Sequence, residues 1–138
     1  MGSVVIDFSE LDSFSKEIYS MGANFPKKQK KFLEKQGEHL RHATVSESKR
    51  HGKRINKLTQ KSTKNGKVYK YKGAKSIRVY SNAPHMHLIE NGHRMVTHDG
   101  REVGFVSGKH VFEKAAKKFE PHFVDEVSKM IEKEFDKL

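Results

Sequence analysis

The sequence contains no cysteine, and this absence excludes disulfide bonds, thiolate catalysis and cysteine-based zinc sites. It also lacks any apolar run near the roughly 18 residues that a membrane-spanning helix needs. No charged segment followed by an apolar one opens the chain, as a secretion signal would. We therefore expect a soluble, unexported protein with no membrane partner.

The motifs of common enzyme classes are missing as well. There is no glycine-rich phosphate loop and no Gly-x-Ser-x-Gly nucleophile elbow. The carboxylates of the predicted helices recur at surface spacings, which favours solvated faces over acid–base pairs. We predict that the chain is not an enzyme and uses no cofactor, no metal and no small-molecule substrate.

Acidic residues are missing from one continuous stretch. Residues 48–89 include twelve Lys or Arg and no Asp or Glu, whereas the remainder has sixteen basic and seventeen acidic residues. The whole net charge of +11 therefore lies in this stretch. Such a field attracts phosphate backbones, but a lysine-rich loop kept soluble by self-repulsion has the same composition, and both interpretations remain open. The candidate DNA-facing residues are Lys53, Arg54, Lys57, Lys61, Lys64 and Lys67.

Length and patterning predict a single α+β domain over residues 1–138, with a modest core because only 34% of the residues are hydrophobic. We expect two N-terminal helices over 8–45, a basic loop or arm over 46–66, a sheet over 67–106 that includes a short helix at 84–91, and a C-terminal helix over 108–138. The sheet should be small and antiparallel, with three to five strands and two hairpins, and the helices should pack on one of its faces.

Apolar stripes at helical spacing predict the two N-terminal helices. Residues 4–8 are either an edge strand or the entry to the first helix, which should run from Ser9 to about Met21. Pro26 should begin the second, in which Gly37 indicates close packing or a bend. The predicted buried face of the second helix consists of Phe25, Phe32, Leu33, Gln36, Leu40 and Ala43.

Two dipeptides predict hairpin turns. Asn65-Gly66 is a type I′ signal that would join a strand at 57–63 to one at 68–71. Asp99-Gly100 repeats the signal and would join 94–98 to 101–106. The inward residues of this second hairpin would be either Val103 and Phe105 or Met95 and Thr97. Gly73 is expected only to interrupt the chain before the next strand.

Residues 75–92 predict a strand, a sharp corner and a short helix. Apolar and polar residues alternate at 75–81, which is typical of a half-buried strand. Pro84 has no backbone N–H for a strand but suits the first position of a helix, with Asn82 upstream as its N-cap. Gly92 should end this helix of about two turns.

The C-terminal third has a helical pattern with a proline inside it. Pro121 predicts either a kink or a division into two helices. The apolar stripe beyond the proline needs a partner, which is either the N-terminal helices of the same chain or a neighbouring subunit. Its members are Phe123, Val127, Met130, Ile131, Phe135 and Leu138.

Histidines and one glutamate cluster near the predicted corner, and their side chains are of the types that bind zinc or manganese. On a helix, however, His85 and His87 would point about 200° apart, which argues against a single site. Glu90 lies beside apolar residues and is predicted to hold the short helix to the sheet through an arginine. The cluster consists of His85, His87, Glu90, His93 and His98, and the candidate partners of Glu90 are Arg78, Arg94 and Arg101.

The run Ser-Asn-Ala-Pro-His-Met-His-Leu-Ile-Glu-Asn-Gly-His-Arg at residues 81–94 resembles the signature of the HK97 gp10-like family of tailed-phage proteins. In that family a strand leads into an Asn-x-x-Pro-Tyr-Ala-x-x-Val-Glu-x-Gly-x-Arg type motif. A long C-terminal helix with a Phe and an Ala near its start follows a short hairpin. Here His85-Met86 replaces the Tyr-Ala pair. The matching positions are Asn82, Ala83, Pro84, Ile89, Glu90, Gly92 and Arg94, then Phe112 and Ala115 or Ala116.

The resemblance implies a structural protein of the phage neck or tail that acts in tail completion or head–tail joining. It further implies a homo-oligomeric ring around the DNA path, contacts with other neck or tail proteins, and a location in the virion and, during assembly, in the host cytoplasm. The motif corner and the C-terminal helix are the candidate interfaces. A small basic protein that binds DNA nonspecifically is the alternative, and a histidine-dependent metal nuclease is a weaker one.

Overall fold

The protein is described from a computed structural model over residues 3–9 and 25–136. Long helices occupy both ends of the second range, and the strands lie between them. In chain order the elements are β1 (Ser3–Asp7), α1 (Phe25–Ser48), a 3₁₀ turn (Lys49–His51), α2 (Lys53–Ser62), β2 (Thr63–Asn65), β3 (Tyr69–Tyr71), β4 (Ala74–Ser81), α3 (Met86–Asn91), β5 (Gly92–Val96), β6 (Glu102–Ser107) and α4 (Val111–Phe135).

A small antiparallel sheet is built around β4. β1 pairs along one side of it, from Ser3 opposite Tyr80 to Asp7 opposite Ser76. β2 and β3 pair along the other side, with residues 79–81 and 74–76 respectively. They form one strand that is interrupted at residues 66–68. The predicted α+β class is confirmed, and of the two alternatives for residues 4–8 the strand is correct.

The first predicted hairpin turn is in the wrong place. Asn65-Gly66 joins no hairpin, because β2 and β3 both pair with β4 and the Gly66 N–H donates to the Arg78 carbonyl at 2.7 Å. The tight turn lies instead between β3 and β4, at Lys72-Gly73. There φ is +50° and +81°, and a type I′ turn requires positive φ at both central residues.

Residues 46–66 are mostly helical, so the predicted basic loop or arm is wrong. Helix α2 packs Ile55, Leu58 and Thr59 towards the protein, an i, i+3, i+4 set whose polar member weakens the sequence signal. The Asn56 side-chain amide donates to the Val45 carbonyl at 3.2 Å and fastens α2 to α1. The strand predicted at 57–63 is therefore also wrong.

The core lies between the sheet, α1 and α4. Leu33 and Leu40 of α1, Ile77 of β4 and Phe112 of α4 are almost completely buried there. Gln36 belongs to the buried face of α1, as predicted. Gly37 packs closely against a neighbouring element, also as predicted, because a Cβ at this position would collide with the Asn65 side chain. The helix predicted from Ser9 to Met21 lies outside the described residues, apart from Ser9.

Helix α4 runs without a break through Pro121, so the two-helix alternative is wrong. The proline is exposed, and its missing N–H removes one hydrogen bond from the helix. Beyond the proline, the Phe123 ring packs edge-on against the ring of Phe8, the residue that follows β1. The two ring centroids are 4.5 Å apart. The stripe thus has a partner within the chain, although Phe135 remains 47% exposed. No described helix combines the length and apolarity needed to cross a membrane.

Strands β5 and β6 form a second, separate hairpin, as the sequence predicts. Its turn is not type I′, because only Gly100 has positive φ; Thr97 accepts the Gly100 N–H, which makes a type I turn followed by a glycine. Neither predicted inward set is buried. The exposed fractions are 47% for Met95, 62% for Val96, 55% for Val103 and 60% for Phe105.

Candidate functional site

The corner after β4 is held by hydroxyl and backbone contacts with the end of α2. The Ser81 hydroxyl donates to the Ser62 hydroxyl at 2.9 Å and accepts the Ala83 N–H at 3.1 Å. The Asn82 N–H donates to the Ser62 carbonyl at 3.0 Å. These contacts direct the chain away from the sheet before Pro84.

The short helix begins two residues later than predicted. Helix α3 starts at Met86, and His85 occupies the cap position without a side-chain cap bond. Asn82 is exposed and does not cap the helix, because Pro84 lies in a turn that precedes it. Gly92 ends the helix with φ +85°, as predicted.

Glu90 is the central residue of this corner. It is buried, and its two carboxylate oxygens accept the backbone N–H groups of Phe112 at 2.9 Å and Glu113 at 3.0 Å. These N–H groups lie in the first turn of α4, where the helix leaves donors unsatisfied and its dipole favours a negative charge. The predicted ion pair between Glu90 and an arginine is therefore wrong. Glu90 acts as a cap supplied from another element.

Backbone packing reinforces this joint between α3 and α4. The Ile89 and Glu90 carbonyls accept the Lys109 N–H at 2.7 Å and the His110 N–H at 3.1 Å. A Cβ on Gly92 would collide with the Val106 carbonyl, and one on Gly108 would collide with the Glu90 carbonyl. Both glycines therefore permit two backbone segments to touch, which requires no side chain between them.

The residues that resemble the phage motif divide into two groups. Glu90, Phe112 and Ala115 are buried, and Ile89 packs against the core, so these residues build the joint. The exposed group consists of Asn82, Pro84 and Arg94. Arg94 lies on β5, where its guanidinium is 3.8 Å from the Glu102 carboxylate. The exposed group is the most accessible part of the motif.

All six candidate DNA-facing residues are exposed. Lys53, Lys57 and Lys61 recur every four residues along α2, which places them on one side of the helix. None of the six makes an ion pair within the described part of the chain. Together they form a basic surface, defined by Lys53, Arg54, Lys57, Lys61, Lys64 and Lys67.

A buried carboxylate lies close to the beginning of this region. Glu47, at the end of α1, is 6% exposed and accepts a hydrogen bond from the Lys118 ammonium of α4 at 2.7 Å. That hydrogen bond holds the pKa of the Glu47 carboxyl below its usual range, with Arg50 and His51 adding weaker attraction. The pair ties α1 to α4.

The histidines near the corner do not come together. Within residues 3–9 and 25–136, no group of three potential metal ligands is close enough to hold an ion. Glu90, the acidic member of the predicted cluster, uses both oxygens on α4. Elsewhere, the rings of His39 and His122 lie 5.8 Å apart, between α1 and α4.

Comparison with known proteins gave no match to a family model, to a curated protein or to a solved structure. The functional argument therefore uses the residues and the geometry of this chain. Sequence reasoning missed the cap on α4 and the apolar surface of the β5–β6 hairpin. The Asp99-Gly100 turn signal did locate the hairpin, but nothing in its alternation indicates that the large apolar side chains of both strands stay exposed.

Proposed function

We propose that this chain is a structural subunit of a tailed-phage neck or tail that acts in tail completion or head–tail joining. It would assemble as a ring around the DNA path and contact other neck or tail proteins in the virion, after folding in the host cytoplasm. On this proposal it catalyses nothing, and its function is to place interfaces. The motif at residues 81–94 motivates the proposal.

One observation supports this function above others: the motif builds a joint and extends an apolar hairpin from it. Glu90 and the two close glycines lock α3 to α4, and the hairpin leaves the joint at Gly92 and returns at Ser107. Large apolar side chains exposed together on a two-stranded hairpin are typical of an interaction surface. A rigid base beneath such a surface suits a subunit that must hold its neighbours in register.

The basic surface gives this proposal an orientation. A ring around DNA needs an inner face that tolerates phosphates, and the six exposed cations of the basic surface meet that need. We place α2 and the loop after β2 towards the lumen. The hairpin would then be directed at another protein.

Electron microscopy of lysates from a phage or prophage that lacks this gene tests the proposal. The expected result is DNA-filled heads beside separate tails, or tails of abnormal length. Complementation with the wild-type gene should restore infectious particles, and complementation with Phe105→Ser should not, although this exposed substitution leaves the fold intact. Normal infectious particles without the gene would refute the proposed function.

The exposed basic surface also supports a second candidate function, nonspecific DNA binding by the isolated protein. Retention on immobilised duplex DNA should then fall steeply as salt rises. The double variant Lys57→Glu/Lys61→Glu should lower the slope of log affinity against log salt by about 2, since each lost phosphate contact removes about 1. The matched control, Lys30→Glu/Lys31→Glu, changes exposed lysines of α1. Equal losses in both variants would show that net charge, and not this surface, binds DNA.

A further inference from the structure

The β1–β4 sheet has a second face, opposite to the one that packs against α1. Two contacts with α1 identify the packed face: the Asn65 amide donates to the Glu34 carbonyl at 3.3 Å, and the Lys75 ammonium donates to the Gln29 side chain at 2.8 Å. Side chains alternate between the two faces of a strand, so the sequence neighbours of Asn65 and Lys75 point away from α1. The register places five large side chains together there, and they form the tyrosine face: Lys64 of β2, Tyr69 and Tyr71 of β3, and Arg78 and Tyr80 of β4.

The tyrosine face is accessible over most of its length. Lys64 and Arg78 are exposed, and Tyr71 is 44% exposed. Tyr69 and Tyr80 are half-buried. The sheet therefore presents aromatic rings and cations to solvent in a fixed order.

Two cations lie against the rings of this face. The Arg78 guanidinium lies over the Tyr69 ring, with its central carbon 5.7 Å from the ring centre. Tyr69 thus holds the guanidinium in place, and a base can stack on the outer plane of a guanidinium as it does on an aromatic ring. The Lys72 ammonium, in the turn between β3 and β4, lies 5.4 Å from the centre of the Tyr71 ring. The Lys72 side chain is exposed, so its ammonium can move to the ring edge and meet the phosphate of a nucleotide stacked there.

The charge of the tyrosine face suits a polyanion. Lys64, Lys72 and Arg78 belong to the acid-free stretch at 48–89, and none of them makes an ion pair within the described residues. Among the described strands of this sheet, the register places a single carboxylate on the same face, that of Asp7, the last residue of β1. Cations thus outnumber carboxylates around the rings.

We propose that the tyrosine face binds single-stranded nucleic acid. Unpaired bases stack on Tyr71, Arg78 and Tyr80, and phosphates contact Lys64 and Lys72. A duplex keeps its bases stacked on one another, so it can use the cations of this face but not its rings. The inference goes beyond the phage function and does not rest on it. It also differs in ligand and in face from duplex binding by the basic surface, with which the tyrosine face shares Lys64.

Tyrosine fluorescence of the full chain tests the proposal. The protein has no Trp and four Tyr, and three of the four lie on the tyrosine face. An oligothymidylate of about 12 nucleotides should quench this fluorescence in a saturable way, because bases stacked on the rings quench their emission. A duplex of the same length should leave the emission unchanged after correction for its absorbance. Equal quenching by the duplex, or no saturable quenching by the single strand at low salt, would overturn the proposal. An oligouridylate of equal length shows whether DNA or RNA binds more tightly.

Substitutions at Tyr71 separate stacking from other contacts, with affinity measured by fluorescence anisotropy of the labelled oligonucleotide. Tyr71→Phe keeps the ring and should keep the affinity within about twofold, whereas Tyr71→Leu should lower it about fivefold or more because one stacked base loses its ring. Phe135→Leu is the matched control, since Phe135 is 47% exposed and lies at the end of α4. Urea unfolding verifies that each variant is folded. Unchanged affinity in Tyr71→Leu, or equal losses in Tyr71→Leu and Phe135→Leu, would contradict stacking on this face.

A charge variant provides a second readout that does not depend on Tyr71. Arg78→Gln should lower the affinity several-fold and reduce the slope of log affinity against log salt by about 0.7, the value for one phosphate contact with a single strand. Lys31→Gln removes the same charge from an exposed position of α1 and should change neither quantity. Equal effects of the two variants would show that net charge alone binds the oligonucleotide and would overturn the proposal. The deletion experiment tests the phage function separately, and its outcome does not depend on these measurements.

Discussion

The two sheets of this protein use similar residues for opposite purposes. In the β1–β4 sheet, Ile77 and Val79 are completely buried beneath α1 and α4. In the β5–β6 hairpin, Val96 and Val103 are 62% and 55% exposed. The first sheet is covered by helices, whereas no described helix covers the second. The same kind of side chain therefore stabilises the fold in one place and offers a surface in the other.

The joint between the two regions explains how one chain maintains both. Glu90 caps α4, and Gly92 begins the exposed hairpin only two residues later. The packed core and the contacts of Glu90 therefore hold the base of the hairpin in place, although the hairpin itself buries little apolar surface. Substitutions in the core and substitutions in the hairpin should therefore change the free energy of unfolding by very different amounts.

The largest difference is expected between two phenylalanines. Phe112→Ala, at a residue 1% exposed, should lower the free energy of unfolding by about 3–5 kcal/mol because it leaves a cavity in the core. Phe105→Ala, at a residue 60% exposed, should change it by less than about 0.5 kcal/mol. Urea unfolding of dilute protein measures both. Similar losses would show that the hairpin belongs to the core.

Glycine substitutions test the joint at the base of the hairpin. Gly92→Ala should cost about 2–5 kcal/mol, because positive φ and a collision with the Val106 carbonyl both oppose it. Gly73→Ala has a similar φ but open space around it, and should cost only about 1–2 kcal/mol. Thermal unfolding gives the comparison. Equal costs would mean that the backbones at 92 and 106 can separate freely.

The cap on α4 is expected to have a moderate effect. Glu90→Gln keeps the shape but replaces one accepting oxygen by an NH₂ group, so a buried N–H of α4 loses its partner. The free energy of unfolding should fall by about 1–3 kcal/mol. Glu113→Gln is the control, because its side chain is exposed in the same turn and should change stability little. If both variants unfold alike, charge near the helix end matters and the cap does not.

The smallest effect concerns the Glu47–Lys118 contact and is measured as a dependence of stability on pH. Since the hydrogen bond from Lys118 lowers the pKa of Glu47 in the folded protein, its contribution is present above the ordinary pKa of 4.5. It is lost as pH falls through the lowered value. Glu47→Gln and Lys118→Met should each reduce the acid-dependent loss of stability, measured by urea unfolding from pH 7 to pH 3. An unchanged pH profile would refute the assignment.

Local sequence signals predicted the elements that carry their own pattern. Helix α1 follows from its apolar stripe, the end of α3 from Gly92, and the β5–β6 turn region from Asp99-Gly100. Helix α2 was missed because Thr59 and Ser62 occupy buried positions where apolar residues would have signalled a helix. Its hydroxyls satisfy themselves on carbonyls four residues earlier, a contact that local hydropathy cannot reveal.

The candidate site was also predicted only in part. The ends of its elements depend on nearby residues, whereas the partners of its side chains lie far away in the sequence. The strand, corner and glycine stop at 75–92 follow from alternation and from proline and glycine chemistry. Glu90 looked like one half of an ion pair, since three arginines lie nearby in sequence. Its actual partners are N–H groups 22 and 23 residues away, and these exist only once α4 has packed against α3.

The sequence by itself determined the composition-dependent properties of this protein: no thiol chemistry, an excess of positive charge confined to residues 48–89, and an α+β order of elements. These depend on residue type and short-range spacing. Only the tertiary structure decided which apolar residues are covered, because burial depends on what packs above a strand. That is why Ile77 stabilises the core while Val103, in an equally suitable strand, remains exposed.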